Sequence, residues 1–169
     1  MAPQPKPSPT LYTADQRKRR DASRWTLVQG LLAPLQFVVF LVSLGLVLRY
    51  LFTGIGLDAA NASVVVKTLT LYTIMLTGCL WEKDVYGVYL FAPAFYWEDV
   101  FSMLVLTLHT AYLVALATGA LSPRALMFLA LAAYLTYVIN ATQFILKLRA
   151  ARLDMARRGA LLQQPGAAA

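Results

Sequence analysis

Residues 25–52, WTLVQGLLAPLQFVVFLVSLGLVLRYLF, decide the fold, and Arg49 is the only charged side chain among them. About 20 apolar residues are enough to cross a bilayer as a helix. Three further apolar stretches occupy 62–81, 100–118 and 125–146. The whole chain is 59% hydrophobic and 14% charged, with mean hydropathy +0.60, which is typical of membrane proteins. The sequence therefore predicts an all-α, integral membrane four-helix bundle over residues 25–148.

The two ends of the chain have a different composition. The N-terminus, MAPQPKPSPTLYTADQRKRR, is proline-rich and then basic, and it lacks the apolar core of a secretory signal peptide. Residues 1–24 are predicted to be a disordered basic tail, and residues 149–169 a basic and then disordered tail.

The basic residues predict the orientation in the membrane. Five precede the first span and five follow the fourth: Arg17, Lys18, Arg19, Arg20, Arg24, then Lys147, Arg149, Arg152, Arg157 and Arg158. The opposite side has only Arg49, Lys67 and Arg124. The positive-inside rule then places both termini in the cytoplasm. The basic side chains are interpreted as topology signals and contacts to anionic lipid, and not as a nucleic-acid site, because no aromatic-basic platform accompanies them.

Residues 81–99, WEKDVYGVYLFAPAFYWED, connect the second and third spans. Their middle is too short to cross a bilayer and too apolar for a free loop. An interfacial or re-entrant segment between helices 2 and 3 is therefore predicted.

Helical spacing places the polar residues of each span on one face. The sets are Gln29, Gln36 and Ser43; Glu98, Ser102 and His109; and Thr136, Asn140, Gln143 and Lys147. Because polar groups are costly in hydrocarbon, these faces should point into the bundle. Together they predict a funnel of polar side chains that opens to the cytoplasm and narrows towards His109.

The same residues can also be interpreted as having only structural roles. Gln36, Asn140 and Gln143 fit interhelical hydrogen bonding, and Trp81 and Trp97 fit an interfacial aromatic belt. Glu98 and Asp99 also suit a helix N-terminus. A histidine inside a membrane span is typical of a metal ligand or a proton carrier.

Several function classes are excluded by residue counts. Cys79 is the only cysteine and His109 the only histidine, so neither a disulfide nor a bis-histidine haem within one chain is expected. No phosphate loop, dinucleotide fingerprint or nucleophile motif occurs. Carboxylates beside an aromatic wall indicate a large, flat, amphiphilic ligand and proton-transfer chemistry.

Three motifs carry a more specific signal: LAPLQF (32–37), FAPAFYWEDVFSM (91–103) and LHTAYL (108–113). With their flanking helices they resemble the 3-vinyl bacteriochlorophyllide hydratase family of bacteriochlorophyll biosynthesis, over about residues 11–155. The resemblance implies a lyase in the inner (intracytoplasmic) membrane of a phototrophic bacterium. Such an enzyme adds water to the vinyl group of chlorophyllide a, or of the related bacteriochlorin, to give a 3-(1-hydroxyethyl) product. It implies no resident cofactor, since the substrate carries its own magnesium.

Hydration of a vinyl group needs an acid, a placed water, a base and negative charge near the cation that forms. We expect Glu98 to be the general acid, with Glu82 or Asp99 orienting the water and accepting its proton. His109 is expected to ligate the chlorin magnesium or to make a deep hydrogen bond. The remaining residues expected to bind substrate are Ser102, Trp81, Trp97, Tyr96, Gln36, Asn140 and Gln143.

The expected partners are the pigment, water and membrane lipids, with a homo-oligomer or neighbouring pigment-biosynthesis enzymes left open. Two other functions remain open from the residues. One is a non-catalytic chlorophyll-binding or assembly protein, which needs a pocket but no carboxylate pair. The other is a redox subunit that shares a haem across a dimer through His109.

Overall fold

Five helices form within residues 11–162, which are the residues that the computed structural model describes, apart from the side chains of 154 and 157–162. They are α1 (Ala14–Ala22), α2 (Arg24–Thr53), α3 (Leu57–Tyr86), α4 (Tyr96–Thr118) and α5 (Pro123–Leu162). Helices α2, α3, α4 and the Pro123–Leu153 part of α5 are long and apolar enough to cross a membrane. The four predicted spans are thereby confirmed as helices.

Helix α1 corrects the prediction that residues 1–24 are a disordered tail. Thr13 caps the helix by accepting from the Gln16 backbone N–H at 3.2 Å, and the Gln16 side chain accepts from the Thr13 N–H at 2.8 Å. This reciprocal capping box satisfies two N–H groups that a helix start otherwise leaves unpaired. At the other end of the chain, α5 continues through the start of the predicted C-terminal tail. Residues 1–10 and 163–169 lie outside the described residues.

The helices pack as two antiparallel pairs, α2 with α3 and α4 with α5, and the pairs contact each other less extensively. Helices α2 and α4 begin, and α3 ends, at one end of the bundle, which we call the site end. Helix α1 lies at this end, where the Ser23 hydroxyl donates to Asp84 at 2.7 Å. A core of apolar side chains joins the pairs: Phe40, Val47, Val64, Leu71, Val105, Tyr112, Met127 and Tyr134.

Apolar side chains cover the outer surface while polar ones are buried. Leu27 is 70% exposed and Phe52 is 85% exposed, whereas Ser43, Thr68 and His109 are fully buried. This arrangement suits a hydrocarbon surrounding, where polar groups find partners only inside the bundle. The predicted inward orientation of the polar faces is confirmed.

The connection between α3 and α4, which we call the 87–95 segment, has no regular structure along most of its length. Helix α3 ends where Gly87 adopts φ 83°, a left-handed conformation that costs a glycine little. Phe91 adopts φ 60° although it is not a glycine. Backbone strain of this kind concentrates at functional sites, and here it turns the chain above three buried carboxyl groups.

Candidate active site

Three carboxyl groups meet at the site end of the bundle. Glu82 lies in the last turns of α3, and Glu98 and Asp99 lie in the first turn of α4. Their residues are 6%, 8% and 3% exposed, respectively. The short 87–95 segment keeps the end of α3 and the start of α4 close together, so these residues, which lie at the two ends of the connection predicted at 81–99, become neighbours.

Glu82 and Asp99 form a pair of carboxyl groups that is hydrogen-bonded to the backbone of the 87–95 segment. The Ala92 N–H donates to Glu82 Oε2 at 3.2 Å, and the Phe91 N–H donates to Asp99 Oδ2 at 2.8 Å. These consecutive backbone N–H groups hold the two buried carboxyl groups side by side. Two carboxyl groups in one buried site tend to share a proton, so such a pair can supply an acid and a base together.

Glu98 has a different partner. Lys147 Nζ on α5 lies 2.6 Å from Glu98 Oε2, and the two side chains are 29% and 10% exposed. An ion pair this short is a charge-assisted contact that fixes the position of the carboxylate. Glu98 is therefore a positioned negative group beside the Glu82–Asp99 pair.

Aromatic rings pack beside the carboxyl groups. This aromatic cluster consists of Tyr12, Trp81, Tyr86, Phe95 and Phe144, with neighbouring ring centroids 5.7–6.0 Å apart. The Trp81 indole N–H donates to Thr26 on α2 at 3.0 Å. Tyr12 precedes α1 and closes the cluster from outside the bundle; burial raises the pKa of its phenol, so the hydroxyl stays protonated.

Polar side chains continue from the carboxyl groups into the bundle. The Asn140 amide donates to the Ser102 hydroxyl at 2.8 Å, which links α5 to α4. His109 is fully buried, and its Nδ1 lies 2.8 Å from the Val105 carbonyl oxygen. Since a carbonyl only accepts, Nδ1 carries the proton and Nε2 presents a lone pair.

Several buried atoms along this interior path have no hydrogen-bond partner among the described residues. They are Gln36 Oε1, Lys67 Nζ, His109 Nε2, Asn140 Oδ1 and Gln143 Oε1. Buried polar groups are normally paired, because an unpaired one costs about 1–3 kcal/mol. Their concentration between the two helix pairs is typical of a binding site for a ligand with polar groups of its own.

The structure brings most of the predicted site residues together and leaves two outside. Glu82, Glu98 and Asp99 cluster at the site end with Trp81, while Ser102, His109, Gln36, Asn140 and Gln143 face the interior. Tyr96 is 47% exposed and Trp97 is 69% exposed. Both rings lie on the outer surface, where they suit an interfacial belt.

Sequence reasoning missed Lys67 and the contribution of α1. Lys67 was assigned to the far side of the membrane, yet it is fully buried, and its Nζ lies 3.7 Å from the centroid of the Tyr137 ring. A lysine inside an apolar span is itself a signal of function, because burying its charge is expensive. Tyr12 gave no such signal, since nothing in its local sequence shows that it packs on Tyr86.

The comparisons with known proteins agree on one family. The model of the 2-vinyl bacteriochlorophyllide hydratase family matches residues 12–150. A protein of that name from Cereibacter sphaeroides is 68% identical over 150 residues, which cover 88% of this chain and 92% of the relative. Another from Rhodobacter capsulatus is 60% identical over 167 residues, covering 98% and 97%. No solved structure matches the chain. The chain belongs to the 2-vinyl bacteriochlorophyllide hydratase family, as the motifs of its helices predict.

Proposed function

We propose that this protein is a hydro-lyase that adds water across the vinyl group of a bacteriochlorophyllide or chlorophyllide, giving a 1-hydroxyethyl substituent. The observation that carries the proposal is the Glu82–Asp99 pair, two buried carboxyl groups that accept from the consecutive backbone N–H groups of Ala92 and Phe91. It lies beside an aromatic cluster suited to a flat ring. The family and the names of the two relatives supply the substrate class.

The chemistry follows from the conjugation of the vinyl group with the macrocycle. Transfer of a proton to the terminal vinyl carbon forms a C–H bond and leaves positive charge on the adjacent carbon, where the ring delocalises it. Water adds to that carbon and then loses a proton to the site. One proton is consumed and one returned, so the net change is the addition of one water molecule and no resident cofactor is needed.

The geometry favours a redistribution of roles among the three carboxyl groups. The Glu82–Asp99 pair supplies the first proton and recovers the second, because it holds an acid and a base together. Glu98, ionised beside Lys147 at 2.6 Å, supplies negative charge near the cation. This differs from the sequence-based hypothesis that Glu98 is the general acid, since its carboxylate is engaged by the Lys147 ammonium.

His109 is proposed to hold the ring through its magnesium. Its Nε2 lone pair is unpartnered among the described residues, and its Nδ1–H is fixed by a carbonyl, which is how a metal-binding histidine is usually oriented. Asp99 and His109 are ten residues apart in α4, or about 15 Å along the axis. A ring bound by His109 therefore presents its edge, and not its centre, to the carboxyl groups. Gln36, Asn140 and Gln143 would line the remaining interior.

The orientation in the membrane completes the proposal. Both chain termini, and with them the site end, face the cytoplasm, in keeping with the basic residues of α1 and of the end of α5. The inner membrane of a phototrophic bacterium is the proposed location. The pigment, water and lipid are the proposed partners.

Purified protein in detergent tests the proposal against a non-catalytic pigment-binding role. Incubation with chlorophyllide a should convert the vinyl pigment to a product 18 mass units heavier, with a blue-shifted red absorption band. Bound but unchanged pigment would support the assembly role and contradict the hydratase proposal. A Soret band from a co-purified haem would instead favour a redox subunit.

The magnesium role of His109 is tested with a metal-free pigment. We expect His109→Ala to weaken chlorophyllide binding by about tenfold or more, since loss of a metal ligand costs at least one good polar contact. Pheophorbide, which lacks magnesium, should bind wild type and variant equally. If the variant weakens the binding of both pigments to the same extent, His109 does not act through the metal.

A further inference from the structure

Two amide side chains of α5 have buried oxygen atoms that accept no hydrogen bond. Asn140 Oδ1 and Gln143 Oε1 are both shielded by the surrounding protein, and neither has a partner among the described residues. An amide oxygen only accepts, so what each of them lacks is a donor. A buried acceptor without a donor destabilises a fold, and its presence in a native protein calls for an explanation.

Contacts between α4 and α5 define the depth of Gln143 in the bundle. The Asn140 amide donates to the Ser102 hydroxyl at 2.8 Å. Nearer the site end, Lys147 Nζ lies 2.6 Å from Glu98 Oε2. Gln143 lies three residues after Asn140 and four before Lys147, so the three side chains share one face of α5. Because α4 and α5 are antiparallel, Gln143 is level with the α4 turn between Glu98 and Ser102.

The same turn of α4 carries Asp99 of the carboxyl pair. The residue that follows Gln143 supports this depth, because the Phe144 ring stacks on the Phe95 ring with centroids 5.7 Å apart. The Phe95 carbonyl in turn accepts from the Asp99 backbone N–H at 3.0 Å. The unpaired oxygen of Gln143 therefore lies at the same depth in the bundle as the carboxyl pair.

The pigment cannot supply the donor that these two amide oxygens lack. The ring nitrogens of a chlorophyllide bind magnesium, and its rim has vinyl, alkyl, carbonyl, ester and carboxylate groups. At neutral pH it therefore has no N–H or O–H group to donate. Water, the second substrate, has two O–H donors. A single water molecule also needs far less room than a macrocycle.

We infer that Gln143 binds the water molecule that adds to the vinyl group, and is a further positioning residue of the reaction. The inference rests on the proposed function, because it uses hydration at the carboxyl pair. One O–H of the water donates to Gln143 Oε1 and the other donates to the ionised member of the pair. An oxygen lone pair is then free to attack the cationic carbon. The C–O bond forms as the second O–H bond breaks and its proton passes to the carboxylate, while the first O–H remains as the product hydroxyl.

The alternative is that Gln143 only links helices. A structural amide needs a partner, and its oxygen has none among the described residues. Gln143→Met removes the acceptor at a similar volume. The loss of a structural amide should lower thermal stability, whereas the loss of an unpaired buried oxygen should not. Thr142→Val is the matched control, because Thr142 is exposed and its hydroxyl donates to the Val138 carbonyl of its own helix at 2.8 Å.

The experiment follows chlorophyllide a in deuterium oxide with purified wild type and Gln143→Met in detergent. We expect kcat for hydration to fall about 10- to 100-fold in the variant, because the attacking water is no longer held in place. KM for the pigment should stay within about threefold, since the pigment loses no contact.

The recovered pigment reports on the first step of the reaction. Transfer of a deuteron to the vinyl terminus should continue in Gln143→Met, because the carboxyl pair is intact. Without a positioned water, the cation returns to the vinyl pigment when its new methyl group loses a proton to the pair. The recovered vinyl pigment should therefore carry deuterium on its terminal carbon, as mass spectrometry and NMR can show. Thr142→Val should hydrate the pigment like wild type.

Three results would overturn the role of Gln143. They are an unchanged kcat in Gln143→Met, a loss of hydration without deuterium in the recovered pigment, and a thermal stability below that of wild type. Each leaves the hydratase proposal intact as long as wild type still hydrates the pigment. A wild type that returns only unlabelled vinyl pigment defeats the hydratase proposal first.

Discussion

Glu82→Gln should retain pigment binding and lose hydration by about 10²- to 10⁴-fold in kcat, the usual contribution of a general acid or base. The glutamine side-chain oxygen can still accept from the Ala92 N–H, which Glu82 holds at 3.2 Å. The 87–95 segment should therefore keep its position. What disappears is the carboxyl group that can exchange a proton with Asp99, and Asp99→Asn should produce a loss of the same order. Turnover is followed by the red absorption band and product mass, and binding by pigment fluorescence.

Asp84→Asn is the matched control, because Asp84 lies two residues from Glu82, is exposed, and bonds to Ser23 outside the carboxyl pair. It should have wild-type turnover. The double variant Glu82→Gln/Asp99→Asn should be little worse than either single variant, since the two residues act as one unit. Full activity in Glu82→Gln would remove the pair from the mechanism and return the acid role to Glu98.

Lys147→Met should destabilise the protein by about 2–3 kcal/mol, because it leaves the Glu98 carboxylate buried without its partner. The ion pair is short, 2.6 Å, and Glu98 contributes a side chain only 10% exposed. The loss of stability should be smaller than for a fully buried ion pair, because the Lys147 side chain is partly exposed. Thermal unfolding in the same detergent measures the loss.

The double variant Glu98→Gln/Lys147→Met should recover most of this stability, because no lone charge remains. Arg149→Met, an exposed position two residues further along α5, should unfold like wild type. If Lys147→Met and Arg149→Met both unfold like wild type, Glu98 is not held as a buried charge. Its assignment as the fixed negative group would then be wrong.

The fold could be predicted largely from the lengths of the four apolar stretches and from the helical spacing of the polar residues within them. The four spans and the inward faces of Glu98, Ser102, His109 and Asn140 follow from periodicity, and the structure confirms both. The contact of Lys147 with Glu98 was also within reach, since each lies on a predicted inward face. Helix α1 was missed because its many charges resemble a tail, whereas the Thr13–Gln16 capping box is a weak signal beside them.

The pairing inside the site was beyond sequence reasoning. The contact of Glu82 with Asp99 depends on the turn of the 87–95 segment, in which Phe91 takes a conformation usual for glycine. The burial of Lys67 was not predicted, because Lys67 was counted among the basic residues that indicate the orientation of the chain in the membrane. Trp97 and Tyr96 resembled parts of a ring-binding wall, yet their helix phase turns them outward.

The proposed reaction is tested most directly by isotope labelling with purified wild-type protein, chlorophyllide a, and water enriched in both deuterium and oxygen-18. We predict one oxygen-18 atom on the carbon next to the ring and one deuterium on the terminal methyl carbon, read by mass spectrometry and NMR. Oxygen on the terminal carbon, or recovery of unlabelled vinyl pigment, would contradict protonation of the vinyl terminus by the carboxyl pair.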